Sequence, residues 1–455
     1  MFFHSNQLKT LSSVGFKCLS VLKMGKFLFL FLAIAFSCSA AKKSENNFVK
    51  VNRTRFEMHG KPYYFVGTNF WYGLNLASKG AGGDRERLIR ELDKLKSMGI
   101  TNLRIMAASE GPDTEPWRIV PALQKAPGIY NEEVLDGLDF LLYEMGKRGM
   151  YAVVCLNNFW PWSGGMAQYV RWHSKESIPY PPPQPSGNWD TYQKYTAQFY
   201  SNKAATESFR QFLKFIINKV NSYSNTAYKD DPTIMAWELA NEPRGVNSIE
   251  AFNQWIDETA SYIKVLDKNH LVTTGSEGET PFKSAGNDFI KNHDGKNIDY
   301  ATIHIWIQNW GWYDPSKPDS TYNVARKKMI EYFNVHINKA KQLDKPLVLE
   351  EFGIARDSES FAPSSTTKYR DIYYQEVFEK VYRSIKDKTP VNGINFWAWA
   401  GEGRPKKPYG SIWQVGDSFI GDPPHEYQGW YSIYDKDSST LDVIINYATK
   451  VNTHK

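Results

Sequence analysis

Two short segments of this 455-residue chain carry acidic side chains where an acid on the surface would be out of place. Residues 234–244 read IMAWELANEPR, an apolar run that ends on Asn241, Glu242 and Pro243. Residues 345–353 read KPLVLEEFG, an apolar run that ends on Glu350 and Glu351 before Gly353 opens a turn. An isolated Glu is usually a solvated surface charge, but neither of these sits on a polar face. Two carboxyls delivered to one place can cleave a glycosidic bond. One protonates the leaving oxygen while the other attacks the anomeric carbon or activates water. By strand alternation Glu350 is expected to point away from Glu351, and Glu238 away from Asn241.

Positioning such residues together requires a fold that gathers strand ends. Eight apolar runs read as strands, at 63–68, 101–106, 151–156, 234–240, 270–275, 300–305, 346–351 and 393–399. Their continuous hydrophobicity fits parallel strands buried on both faces. Helical spacing lies between them: Leu88, Leu92 and Leu95; Leu135, Leu138, Leu142 and Met145; Phe209, Phe212, Ile216 and Val220; Ile249, Phe252, Ile256 and Ile263. Helices also fit 324–342 and 366–387. Alternating strands and helices in this number predict an α/β fold, a (β/α)8 TIM barrel of one domain with long βα loops. An open doubly wound sheet is the alternative, but no GxGxxG follows the first strand. The long loops are 160–195, with prolines at 179, 181, 182, 183 and 185, and 400–432, rich in Gly, Pro and Trp. In such a barrel the carboxyl ends of the strands hold the active groups, so Glu242 and Glu351 face one another across its mouth.

The motifs NEP and EEFG resemble those of glycoside hydrolase family 5, of clan A. The segments GTNFWYG (67–73), NLRIMA (102–107), NNFWPWSGGMAQYVRW (157–172), YKDDPTIMAWELANEPR (228–244) and GDPPHEYQGWYSIYD (421–435) resemble its endo-β-1,4-mannanase branch. The likeness runs from Phe56 to about Asp442. It implies a retaining enzyme in which Glu242 is the general acid/base and Glu351 the nucleophile, with Asn241 bonded to the sugar 2-hydroxyl. It implies further that Arg104 sits beside the nucleophile and favours its ionised form, that His304 lines the cleavage subsite, and that Trp397 is the platform under the sugar. Arg244 and Glu277 match contacts on the leaving side. Trp306 stands where relatives often carry a Tyr bonded to the nucleophile, which puts that contact in doubt. Trp71, Asn158 and Trp160 are expected to touch the ligand.

The implied substrate is a β-mannan polysaccharide (mannan, glucomannan or galactomannan). An exo-β-mannosidase, an endo-β-1,4-glucanase and a non-catalytic carbohydrate-binding protein are the alternatives. No cofactor and no metal are expected, since nine scattered His and no HExxH or paired Cys make a poor metal site. The net charge of +6 implies no nucleic-acid partner, because Lys9, Lys17, Lys23 and Lys26 supply four of the six before residue 39. Residues 27–36, FLFLFLAIAF, follow Lys23 and Lys26 and precede SCSAA. That is the pattern of an export signal within residues 1–40, whose start could be Met24, followed by a polar leader at 41–50 and a catalytic domain at 51–455. The apolar run is too short to span a bilayer as a helix. The expected location is extracellular, or the cell envelope through a lipid anchor at Cys38. With cleavage near Ala40 only Cys155 remains, in an apolar run that reads as core.

Overall fold

A computed structural model describes residues 47–454; the expected export signal, Cys38 and most of the expected polar leader lie outside the described residues. Eight strands form one parallel sheet: β1 Phe65–Asn69, β2 Asn102–Met106, β3 Tyr151–Cys155, β4 Ile234–Glu238, β5 Leu271–Thr273, β6 Ala301–Ile305, β7 Leu347–Phe352 and β8 Val391–Phe396. Each overlaps one of the eight apolar runs. Their order is β5-β4-β3-β2-β1-β8-β7-β6, so neighbours in sequence are neighbours in space and β1 pairs with β8. The seam between β5 and β6 lacks a regular ladder but is stitched by single hydrogen bonds. Asp299 N donates to Val272 O at 2.8 Å, Thr302 Oγ1 to Ser276 O at 2.9 Å and His304 N to Glu277 O at 3.0 Å. The sheet therefore closes on itself, which is the barrel expected and not the open sheet.

Eight helices pack outside: α1 Arg85–Ser97, α2 Glu132–Lys147, α3 Lys203–Asn218, α4 Ile249–Leu266, α5 Phe289–His293, α6 Pro318–Leu343, α7 Lys368–Lys386 and α8 Ser438–Thr453. Side-chain caps start several of them where the sequence offers Asp or Asn. Asp84 accepts from Arg87 N at 2.8 Å, Asn202 from Ala205 N at 3.1 Å and Asp288 from Lys291 N at 3.0 Å, each satisfying a donor the first turn leaves free. The apolar faces read from spacing are buried in α1 and α2. Two end residues depart from them: α3 stops at Asn218 and leaves Val220 exposed, and Ile249, the first residue of α4, is also exposed.

The barrel interior changes character along its axis. Its lower end is apolar, where Phe65, Val153, Ala236, Leu271 and Val348 meet Phe56 and Tyr63 from the chain that precedes β1. Its upper end is polar: Asn69, Arg104, Glu238, His304 and Glu350 are all buried there. Above it stand the two long loops, after β3 and after β8, and they touch: His425 Nε2 lies 3.1 Å from the Pro182 carbonyl oxygen.

Gly275, in the turn after β5, has φ +74°, and a Cβ there would overlap the Ala240 carbonyl oxygen. Its own carbonyl accepts from Glu242 N at 3.0 Å. Gly275→Ala is expected to lower stability by about 2 kcal/mol or more, from left-handed strain plus overlap with backbone, read as a lower urea midpoint with an unchanged slope.

Candidate active site

Arg104, near the middle of β2, is the hub of the polar end. All five of its N–H bonds are used. Nε and Nη2 fork onto Glu238 at 2.8 and 2.5 Å, Nη1 donates to Asn69 Oδ1 at 3.0 Å and to Glu351 Oε1, and Nη2 donates to Asn241 Oδ1 at 2.8 Å. Burial works against its charge, but Glu238 and Glu351 outweigh burial and hold the guanidinium well above its usual value. The cation therefore fixes the nucleophile candidate and Asn241 together. The structure thus places Arg104 in contact with Glu351.

Glu242 reaches the mouth by a backbone turn. Its φ is +49°, in the left-handed region where a side chain other than Gly costs about 1–3 kcal/mol. Two indole N–H groups and a ring nitrogen meet its carboxyl: Trp160 Nε1 donates to Oε2 at 2.5 Å and Trp306 Nε1 to Oε1 at 3.2 Å, and His304 Nδ1 lies 2.6 Å from Oε1. His304 Nδ1 is also 3.2 Å from Glu351 Oε2. One oxygen each of Glu242 and Glu351 and a ring nitrogen of His304 lie within 4.8 Å of one another. Among the described residues this is the one grouping with metal-ligating atoms at such range. Its lone pairs are already turned to Arg104, His304 and two indole N–H groups, as in an ionic cluster rather than a metal cage.

A cavity of about 670 Å³ opens over these carboxyls. Trp160, Asn241, Glu242, Arg244, Glu277, Trp306, Glu351 and Trp397 line it, as expected from the sequence. Arg244 makes a two-point ion pair with Glu277, at 2.7 and 2.8 Å, and its guanidinium lies 4.7 Å from the centre of the Trp160 ring. Burial raises the Glu277 carboxyl above its usual value, with Glu242 adding to the rise and Arg244 opposing it. Trp397 lies edge-on to Trp306, with centroids 5.8 Å apart, and its indole N–H has no partner among the described residues.

Five expectations need correction. Trp71 does not line the cavity: its indole donates to Gly421 O at 2.8 Å and its ring packs on Trp162 and Phe419. Asn158 is fully buried and holds Asn241 through an Nδ2–Oδ1 bond of 3.1 Å instead of facing a ligand. Trp306 donates to Glu242, not to Glu351, so the indole serves the acid/base candidate where a Tyr was expected to serve the nucleophile. Glu350 does not turn away from the interior. A β-bulge sets Leu349 opposite Ile303 but Glu351 opposite His304, so Glu350 is the extra residue and both carboxyls face inward. Glu238 and Asn241 likewise both point at Arg104, because β4 ends at Glu238 and alternation stops with it.

Several lining residues were not singled out by sequence: Trp162, Trp189, Phe282, Trp310, Glu426 and Tyr431. For Trp162, Trp189 and Tyr431 the aromatic richness of the long loops was a signal, but it cannot say which rings turn inward; Phe282, Trp310 and Glu426 had none. Glu426 is half-buried, its Oε2 has no hydrogen-bond partner among the described residues, and burial together with Asp422, Glu351 and Glu242 pushes it well above its usual value.

Replacing Arg104 by Lys keeps one charge but leaves carboxylates unpaired in the interior. Activity is expected to fall about 100-fold or more through misplacement of Glu351, and stability by about 3–5 kcal/mol, checked by steady-state kinetics and denaturant unfolding.

Residues 46–455 match the model of the family described as GH family 5 beta-mannosidase-like. The chain is 32% identical over 397 residues to mannan endo-1,4-beta-mannosidase 5 of Solanum lycopersicum, covering 83% of this chain and 88% of that protein. A crystal structure of a glycoside hydrolase family 5 mannosidase from Rhizomucor miehei is similar at 39% identity and TM-score 0.83, over 90% of this chain and 98% of that one. The endo-beta-1,4-mannanase of Thermotoga petrophila is similar at 27% identity and TM-score 0.63, over 87% and 78%. With a closed barrel that carries two buried glutamates at the ends of β4 and β7, the chain belongs to the GH family 5 beta-mannosidase-like family of glycoside hydrolases.

Proposed function

We propose that this enzyme hydrolyses internal β-1,4-mannosidic bonds of mannan, glucomannan or galactomannan with retention of configuration. The observation that carries the mechanism is the approach of Glu242 and Glu351 oxygens to within 4.8 Å. Retaining glycosidases hold their carboxyls about 5–5.5 Å apart, while inverting ones need about 6.5–9.5 Å for a water between them. Glu242 protonates the glycosidic oxygen as Glu351 attacks the anomeric carbon, breaking the C–O bond and forming a glycosyl ester. Water, giving its proton to Glu242, then breaks the ester from the same face. Trp397 supports the sugar ring, Asn241 meets its 2-hydroxyl, and Arg244 with Glu277 holds the leaving portion. The mannan substrate is supported by the curated relatives and by a complex of the Rhizomucor miehei mannosidase with mannosyl-fructose.

The contact of His425 with Pro182 above the cavity favours a second reading, release of single terminal mannose units, because a bridged groove cannot take a chain across its middle. For the apolar run at 27–36 we propose export, with the mature N-terminus either near Ala40 or at a lipidated Cys38.

Glu351→Gln and Glu242→Gln are each expected to lower turnover of mannohexaose by about 1,000-fold or more, and proton NMR of fresh product is expected to show the β-anomer first. Near-normal turnover by Glu351→Gln would remove the assignment. On mannan the expected early products are mixed oligosaccharides with a fast fall in viscosity; mannose alone from the outset would establish the second reading.

A further inference from the structure

Glu350 is a buried carboxyl that the two-glutamate scheme does not use. It is 1% exposed, and its Oε2 has no hydrogen-bond partner among the described residues. His304 Nε2 lies 3.9 Å from that oxygen, equally buried and also without a partner. The ring's other nitrogen faces both reacting carboxyls, 2.6 Å from Glu242 and 3.2 Å from Glu351. One imidazole thus stands between the reaction and an idle acid. The other groups around Glu350 are Glu238, Arg104 and the Tyr300 hydroxyl, 3.5 Å from Oε1. Arg104 cannot substitute for His304 at Glu242, because its five N–H bonds are committed elsewhere.

We propose that Glu350 is a positioning residue: its carboxylate beside Nε2 keeps His304 doubly protonated, so that Nδ1–H is a cation shared by Glu242 and Glu351. This rests on the retaining reading above. The retaining scheme starts with the negative charge on Glu351 and the transferable proton on Glu242. In the first step an electron pair of Glu351 forms the bond to the anomeric carbon. The proton of Glu242 passes to the leaving oxygen, which departs with the electrons of the broken C–O bond. Negative charge has then crossed from Glu351 to Glu242, and Nδ1–H is within reach of both ends of that path. A neutral ring protonated only on Nε2 would present a lone pair to the new Glu242 carboxylate, which repels it. Electrostatics agrees. Burial opposes the imidazolium, yet Glu351, Glu242 and Glu350 outweigh it and raise His304 well above the ordinary value. Burial and Glu238 push Glu350 up to about 7, with His304 and Arg104 pulling the other way, so the carboxylate that supports the ring is present above that value and is lost as pH falls below it.

The test is 15N NMR of the histidine-labelled enzyme, with the His304 signals assigned by their loss in His304→Gln. Both ring nitrogens are expected to carry protons at pH 7. Glu350→Gln is expected to lower the titration midpoint of His304 by about 1–3 pH units and kcat by about tenfold, with KM little changed. Glu350→Asp, which keeps the charge, should restore part of the midpoint. A wild-type ring with a single proton at pH 7, or an unchanged midpoint in Glu350→Gln, would overturn the proposal. Should Glu350→Gln fail to fold, the wild-type spectrum and Glu350→Asp still decide. The spectra need no turnover, so failure of the retaining reading would show separately, in the anomer formed.

Discussion

A single buried guanidinium organises the upper end of this barrel. Arg104 forks onto Glu238, binds Glu351, and holds Asn69 and Asn241 with its remaining protons. Several acidic side chains in a water-poor interior would otherwise repel one another and leave the folded state unstable. With Arg104 in place, Glu238 is its fixed counter-charge and Glu351 can be kept at the mouth of the cavity. The residues that meet the guanidinium come from β1, β4, β7 and the turn after β4, so four parts of the chain are set by one planar group.

Glu242 lies outside that network and is held by a different set of donors. Two indoles and an imidazole reach its two oxygens, and its backbone is turned into a left-handed conformation to meet them. The nucleophile candidate is thus gripped by a permanent cation, while the acid/base candidate is met by neutral N–H groups and a titratable ring. The difference would suit the retaining scheme proposed above, in which one carboxyl attacks as an anion and the other gives and takes a proton. His304 touches both, through one ring nitrogen.

Strand alternation is a reliable guide inside a regular ladder and failed here where ladders end. It placed Glu350 and Glu351 on opposite faces, but the bulge opposite His304 brought both inward. It separated Glu238 from Asn241, but β4 had already ended. Such irregularity concentrates at the carboxyl ends of barrel strands, where the side chains that do chemistry are re-aimed. The same limit applies to Trp71 and Asn158. Both occupy motif positions near the cavity, yet each spends its polar atoms on supporting a neighbour.

The chain's periodicity determined the barrel. Eight apolar runs separated by amphipathic helices have few other ways to bury both faces of every strand, and each run became a strand. It determined also that Glu242 and Glu351 stand at strand ends, since apolar stretches stop at them. Only the tertiary structure decided which atoms meet. The groups that meet Glu242 come from His304 and Trp306 at the end of β6 and from Trp160 in the loop after β3, both far from Glu242 in sequence, and local pattern carries no information about such contacts. It decided the aromatic walls as well, because a ring in an irregular loop has no period to say which way it faces. And it placed Glu350 behind His304, a consequence of one extra residue in β7 that no count along the sequence reveals.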